Sequence, residues 1–143
     1  MADDGVGVAV VEGFDPGSVP PGVELVTGAT AGMALIRYFL DYDLVIAVDA
    51  IDCGASPGAI FKFHPDEAGI MNLRSNNIHG MGLPYLITSA RLKGIDPEVL
   101  VFAVQVGNVM PRDGGLSAEV AAAAIRVRGL IEKELTCPGT EAR

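Results

Sequence analysis

Short apolar runs alternate along the chain with segments in which apolar residues recur at helical spacing. Apolar runs bounded by glycine, proline or polar residues are typical of buried strands, and four are predicted here: residues 23–27, 44–49, 59–63 and 99–106. Helical spacing predicts four helices, over residues 6–14, 31–40, 80–94 and 117–135. Strands that alternate with helices form βαβ units. We therefore expect an α/β fold: a three-layer, open, mostly parallel twisted sheet with helices on both faces.

The length and the charge of the chain exclude several classes of protein. At 143 residues the chain has the usual size of one domain, which we place over residues 1–143. Its apolar runs are far shorter than the ~20 residues that span a bilayer, and no signal segment begins it, so we expect a cytoplasmic protein without membrane contact. A formal net charge of −8 argues against nucleic-acid binding. We interpret Arg126, Arg128 and Lys133 as the solvated face of the last helix.

Three residues are candidates for a divalent-metal site. Ligands bind at the carboxyl edge of an open parallel sheet, and Asp49 ends an apolar strand while Asp4 and His79 begin helices. We therefore predict that Asp4, Asp49 and His79 meet at this edge, where two carboxylates and one imidazole suit Zn²⁺ or Ni²⁺. The spacing also fits a purely structural interpretation, in which Asp3 and Asp4 cap a helix, Asp49 forms a turn and His79 bonds to backbone.

Other chemical groups are weaker candidates. His64 is interpreted as a surface residue of a turn, and Cys53 as a small core or loop residue without a neighbouring lysine or arginine to activate its thiol. The two cysteines, Cys53 and Cys137, are too few to indicate a disulfide scaffold. Gly5 and Gly7 do not form a dinucleotide fingerprint because no strand precedes them, and no serine lies in a nucleophile elbow.

Five segments carry a resemblance to a known family. They are Asp-Asp-Gly-Val-Gly (3–7), Thr-Gly-Ala-Thr-Ala-Gly-Met (27–33), Ile-Ala-Val-Asp-Ala (46–50), His-Gly-Met-Gly-Leu (79–83) and Gly-Leu-Ser (115–117). In this order they resemble the nickel-iron hydrogenase maturation endopeptidases, which trim a carboxy-terminal peptide from the hydrogenase large-subunit precursor. The resemblance runs from residue 3 to residue 135.

The resemblance implies an activity, a substrate and a ligand set. It implies a hydrolase, aspartic-type or metal-dependent, that acts on the hydrogenase large-subunit precursor after nickel insertion. Asp4, Asp49 and His79 would bind nickel carried by the precursor, with zinc or cadmium as substitutes. The ion would position the precursor tail, polarise the scissile carbonyl or activate water, and the sequence leaves these three roles open.

The amino-terminal segment departs from the family pattern. In the family a hydrophobic strand and a glycine-rich loop precede the acidic pair, whereas here only Met1 and Ala2 do. We therefore expect the family's first strand to be absent from this chain. Two alternatives stay open: a non-catalytic relative that binds metal or a partner protein at the same edge and has lost turnover with its first strand, and a small-molecule hydrolase on a similar sheet.

Overall fold

The computed structural model describes residues 5–27, 32–65, 83–107 and 115–136. The described helices are α1 (Val6–Glu12), α2 (Ile36–Asp41), α3 (Leu83–Leu92) and α4 (Ala118–Thr136). The described strands are β1 (Leu44–Ile51), β2 (Ile60–Phe63) and β3 (Glu98–Gln105). Two short 3₁₀ helices, Pro16–Ser18 and Gly32–Leu35, complete the described elements. No described helix is long and apolar enough to cross a membrane.

The three described strands form one mixed sheet in the order β1-β3-β2. β1 runs parallel to β3, and β2 runs antiparallel to it. In this register Asp49 of β1 and Phe61 of β2 both lie opposite Ala103 of β3. The predicted α/β class is therefore confirmed, with one parallel and one antiparallel pair among the described strands.

Helices cover both faces of the sheet. Leu100, Phe102 and Val104 of β3 pack in one core cluster with residues of α1 and α4. Val99 and Val101, which alternate with them, pack in a second cluster with residues of α2 and α3. Because β3 is buried on both sides, its sequence is a nearly continuous apolar run rather than an alternating one. The three-layer prediction is confirmed for the described residues.

Several predicted boundaries change. β1 continues through Ala50 to Ile51, because its ladder with β3 extends to Gln105. Residues 23–27, predicted as a strand, belong to no described ladder, and Leu25 is 37% exposed. The predicted helix over 31–40 begins as a 3₁₀ turn and becomes α-helical at Ile36. The predictions for residues 1–4 and 80–82, and for the absent first strand, lie outside the described residues.

The last helix fastens α1 to the rest of the protein. The Arg128 guanidinium donates hydrogen bonds to the carbonyl oxygens of Ala9 and Val10, each at 3.3 Å. A cation that bonds the last carbonyls of a helix stabilises its carboxyl end. Arg126 donates to the Gly58 carbonyl at 3.1 Å, while Lys133 is exposed. The interpretation of these three residues as one solvated face is therefore wrong for Arg128, which is half-buried.

Candidate functional site

Asp49 is the predicted site residue that the structure describes. It lies within β1, two residues before the strand ends at Ile51, so the prediction that it terminates the strand is wrong. Side chains alternate between the faces of a strand, and Val45 of β1 packs in the cluster with α2 and α3. Asp49 therefore lies on the same face as Val45, near the carboxyl end of the strand.

The Asp49 carboxylate is half-buried and has little to stabilise its charge. Its Oδ1 accepts a hydrogen bond from the Ala50 N–H at 2.9 Å, and no cation among the described residues pairs with it. Burial raises the pKa of Asp49 from an ordinary value of 3.8 to about 6, although the Ala50 hydrogen bond acts in the opposite direction. A carboxylate in such surroundings favours binding of a proton or of a cationic ligand.

The first turn of α1 packs on β1 next to Val48, on the sheet face opposite to the one that carries the Asp49 side chain. A Cβ atom added at Gly7 would lie 2.8 Å from the carbonyl oxygen of Val48, the residue before Asp49. Only glycine permits this approach of helix to strand. The helix begins at Val6, two residues after Asp4 in the sequence.

The other two predicted ligands, Asp4 and His79, lie outside the described residues. Their meeting with Asp49 therefore stays a prediction. The described residues contain no group of three or more histidine, cysteine, aspartate or glutamate side chains that would hold a metal ion. Asp49 is therefore the one predicted ligand whose position the structure describes.

Gln105, at the end of β3, is a buried polar residue near the candidate site that no sequence motif marks. Its buried side chain bonds to the turn that follows β1, accepting from the Cys53 N–H at 2.9 Å and donating to the Asp52 carboxylate at 3.1 Å. The signal available in the sequence was a single polar residue near the end of a long apolar run. No sequence motif marks this residue, because its hydrogen-bond partners lie about fifty positions earlier in the chain.

His64 and Cys53, the two weaker candidates, each make a hydrogen bond within the fold. The Nδ1 atom of His64 is 2.9 Å from the Val99 carbonyl oxygen, at the start of β3 and so at the other end of the strand from the Asp49 row. Cys53 is exposed in the turn after β1, and its thiol donates to Gln105 at 3.4 Å. The interpretation of Cys53 as a loop residue is confirmed.

Comparison with known proteins identifies similar chains. A family model described as hydrogenase maturation protease matches residues 8–134. The hydrogenase expression/formation protein HupD of Bradyrhizobium diazoefficiens is 35% identical over 102 residues, 70% of this chain and 53% of HupD. A putative hydrogenase maturation protease of Methanocaldococcus jannaschii is 32% identical over 139 residues, 94% of this chain and 89% of that protein.

The structural comparison agrees with these sequence matches. The hydrogenase maturating endopeptidase HybD from E. coli superposes with a TM-score of 0.80 and 25% identity, over 97% of this chain and 87% of HybD. The chain spans about half the length of HupD, since 53% of that relative is covered.

Proposed function

The chain belongs to the hydrogenase maturation protease family, and on this premise we propose that it is an endopeptidase for a nickel-iron hydrogenase precursor. It removes a carboxy-terminal peptide from the large-subunit precursor after nickel has been inserted. The observation that carries the proposal is the half-buried carboxylate of Asp49 at the carboxyl end of β1, without a described cationic partner. This is the edge at which open α/β sheets bind ligands.

The proposed ligand set is Asp4, Asp49 and His79, and the nickel ion that it binds belongs to the substrate. Two carboxylates and an imidazole suit a borderline divalent ion, and three protein ligands leave positions for groups of the precursor. Zinc or cadmium, with similar ligand preferences, would occupy the same ligands in the absence of the precursor. The surroundings of Asp49 fit this use, because a cation offsets the cost of keeping a half-buried carboxylate charged.

Dependence on nickel follows from this arrangement. A precursor without nickel offers the three side chains nothing to bind, whereas a nickel-loaded precursor is held with its tail beside the sheet edge. Holding the reacting bond in one geometry supplies a large part of catalysis. The raised pKa of Asp49 adds a condition, because a proton competes with the metal for the carboxylate below a pH of about 6.

Purified variants test the proposal. We expect the protein to shorten a nickel-loaded precursor, and Asp49→Ala and His79→Ala each to slow shortening more than ~100-fold, since even second-shell changes cost 10–100-fold. Asp43→Ala is the matched control, because Asp43 is an exposed aspartate just before the same strand. Circular dichroism confirms that each variant is folded. Shortening at the wild-type rate by both Asp49→Ala and His79→Ala would contradict the proposal, and binding without shortening by the wild type would favour the non-catalytic alternative.

A further inference from the structure

Gln105 is the one fully buried polar side chain among the residues that the structure describes. It is 3% exposed and ends β3, which otherwise carries apolar residues from Val99 to Val104. A buried amide is costly unless its oxygen and its nitrogen both find partners. The hydrogen-bond partners of Gln105 therefore show which segment of the chain this side chain holds in place.

All the hydrogen-bonding groups of the Gln105 amide are used, mostly by one turn. Its Oε1 accepts from the backbone N–H of Cys53 at 2.9 Å and from that of Ala55 at 3.3 Å, as well as from the Cys53 thiol at 3.4 Å. Its Nε2 donates to the Asp52 carboxylate at 3.1 Å and to the Val106 carbonyl at 2.9 Å. One side chain thus fixes residues 52–55, which we call the Gln105 turn.

The segment that follows the Gln105 turn is also held. The Gly58 N–H donates to the backbone carbonyl of Gln105 at 2.9 Å, and Arg126 donates to the Gly58 carbonyl. Gly58 has a φ of 86°, and an added Cβ would lie 2.7 Å from the Glu119 carbonyl oxygen, so only glycine fits there. Hydrogen bonds therefore hold the chain in place on both sides of the exposed residues Ser56 and Pro57.

The Gln105 turn borders the candidate site. It continues directly from β1, so it begins three residues after Asp49 at the carboxyl end of the sheet. Gln105 lies two residues beyond Ala103, the register partner of Asp49, and therefore on the same face of the sheet. Asp52, Cys53 and Gly54 in the turn are exposed, so their outer surface is available to a large substrate.

We infer that Gln105 is a positioning residue of the proposed reaction, which holds the Gln105 turn where it contacts the hydrogenase precursor beside Asp49. The inference rests on the proposed function. Asp49 itself is held by the β1–β3 ladder, which does not need the Gln105 side chain. The amide therefore acts on binding of the precursor rather than on the reacting groups, and its loss affects KM more than kcat.

Steady-state cleavage of the nickel-loaded precursor by Gln105→Met tests this assignment. Methionine has a similar length but no acceptor, so the N–H groups of Cys53 and Ala55 lose their partner. We expect KM to rise about tenfold and kcat to stay within about twofold. Hydrogen exchange at these two amides should accelerate while exchange in β3 is unchanged. Val127→Ala is the control, because Val127 is fully buried on α4 at the opposite face and changes stability without touching the turn.

A second variant keeps the test decisive if Gln105→Met does not fold. Gln105→Glu keeps an acceptor oxygen but places a carboxylate beside Asp52, so repulsion displaces the turn, and we expect KM to rise about threefold or more. An unchanged KM in the variant that folds, or a fall in kcat alone, overturns the inference. Failure of the wild type and of Val127→Ala to cleave the precursor overturns the proposed function instead, so the two failures are distinguishable.

Discussion

Replacing Asp49 with asparagine tests whether burial of this carboxyl group opposes folding. Burial raises its pKa from 3.8 to about 6 in the folded protein. A carboxyl group whose folded-state pKa is the higher one takes up a proton on folding between these two values. Its protonated form therefore contributes stability that is fully present below a pH of 3.8 and is lost as the pH rises through about 6.

The magnitude follows from the difference between the two pKa values. A difference of about 2 units, at about 1.36 kcal/mol for each unit, corresponds to about 3 kcal/mol. Asparagine carries no charge at any of these pH values, and it keeps an oxygen that can accept the Ala50 N–H. We therefore expect the free energy of unfolding of Asp49→Asn to exceed that of the wild type by about 3 kcal/mol near neutral pH, and to match it within about 1 kcal/mol at a pH of about 4.

Urea denaturation followed by circular dichroism measures this difference, with a chelator present so that no metal ion binds the carboxylate. Asp43→Asn is the control, because it removes the same charge from an exposed position just before β1. The difference between the two variants isolates the effect of burial. If Asp49→Asn differs from the wild type by the same free energy at about pH 4 and about pH 7.5, the argument from burial is wrong.

Two further substitutions test how α1 is held against the sheet and against α4. Gly7→Ala places a Cβ 2.8 Å from the Val48 carbonyl oxygen, so we expect the strain to exceed the gain in helix propensity and to lower the free energy of unfolding by about 1–2 kcal/mol. An unchanged melting temperature would show that the helix can move away at no cost. Arg128→Met removes two hydrogen bonds to α1 carbonyl groups, and we expect a loss of about 1–2 kcal/mol, with the exposed Lys133→Met as control. Equal stability of these two variants would contradict the role assigned to Arg128.

The sequence predicted the central strands well, because burial on both faces leaves a clear pattern. β1 and β3 are apolar runs bounded by polar residues or glycine, and both lie within two residues of their predicted ends. The antiparallel direction of β2 was not predicted, since strand direction depends on the path of the chain rather than on composition. Residues 23–27 have strand-like composition but no described ladder, because a run of apolar residues does not specify a partner strand.

The candidate site was predicted less completely than the fold. Asp49 was identified because a carboxylate in an apolar strand is poorly solvated unless it has a partner or a metal ion. The structure shows that it is half-buried. Gln105 was missed because its hydrogen-bond partners lie about fifty positions earlier, which no local pattern encodes. The raised pKa of Asp49 likewise follows from tertiary burial and not from its neighbours in sequence.

Recognition of nickel carried by the hydrogenase precursor is the core of the proposed function. It is tested most directly by measuring the intact mass of the precursor over time, with nickel-loaded and nickel-free precursor incubated separately with the wild-type protein. We expect that the nickel-loaded precursor loses its carboxy-terminal peptide and that the nickel-free precursor keeps its full mass. Shortening of both precursors at the same rate would contradict it.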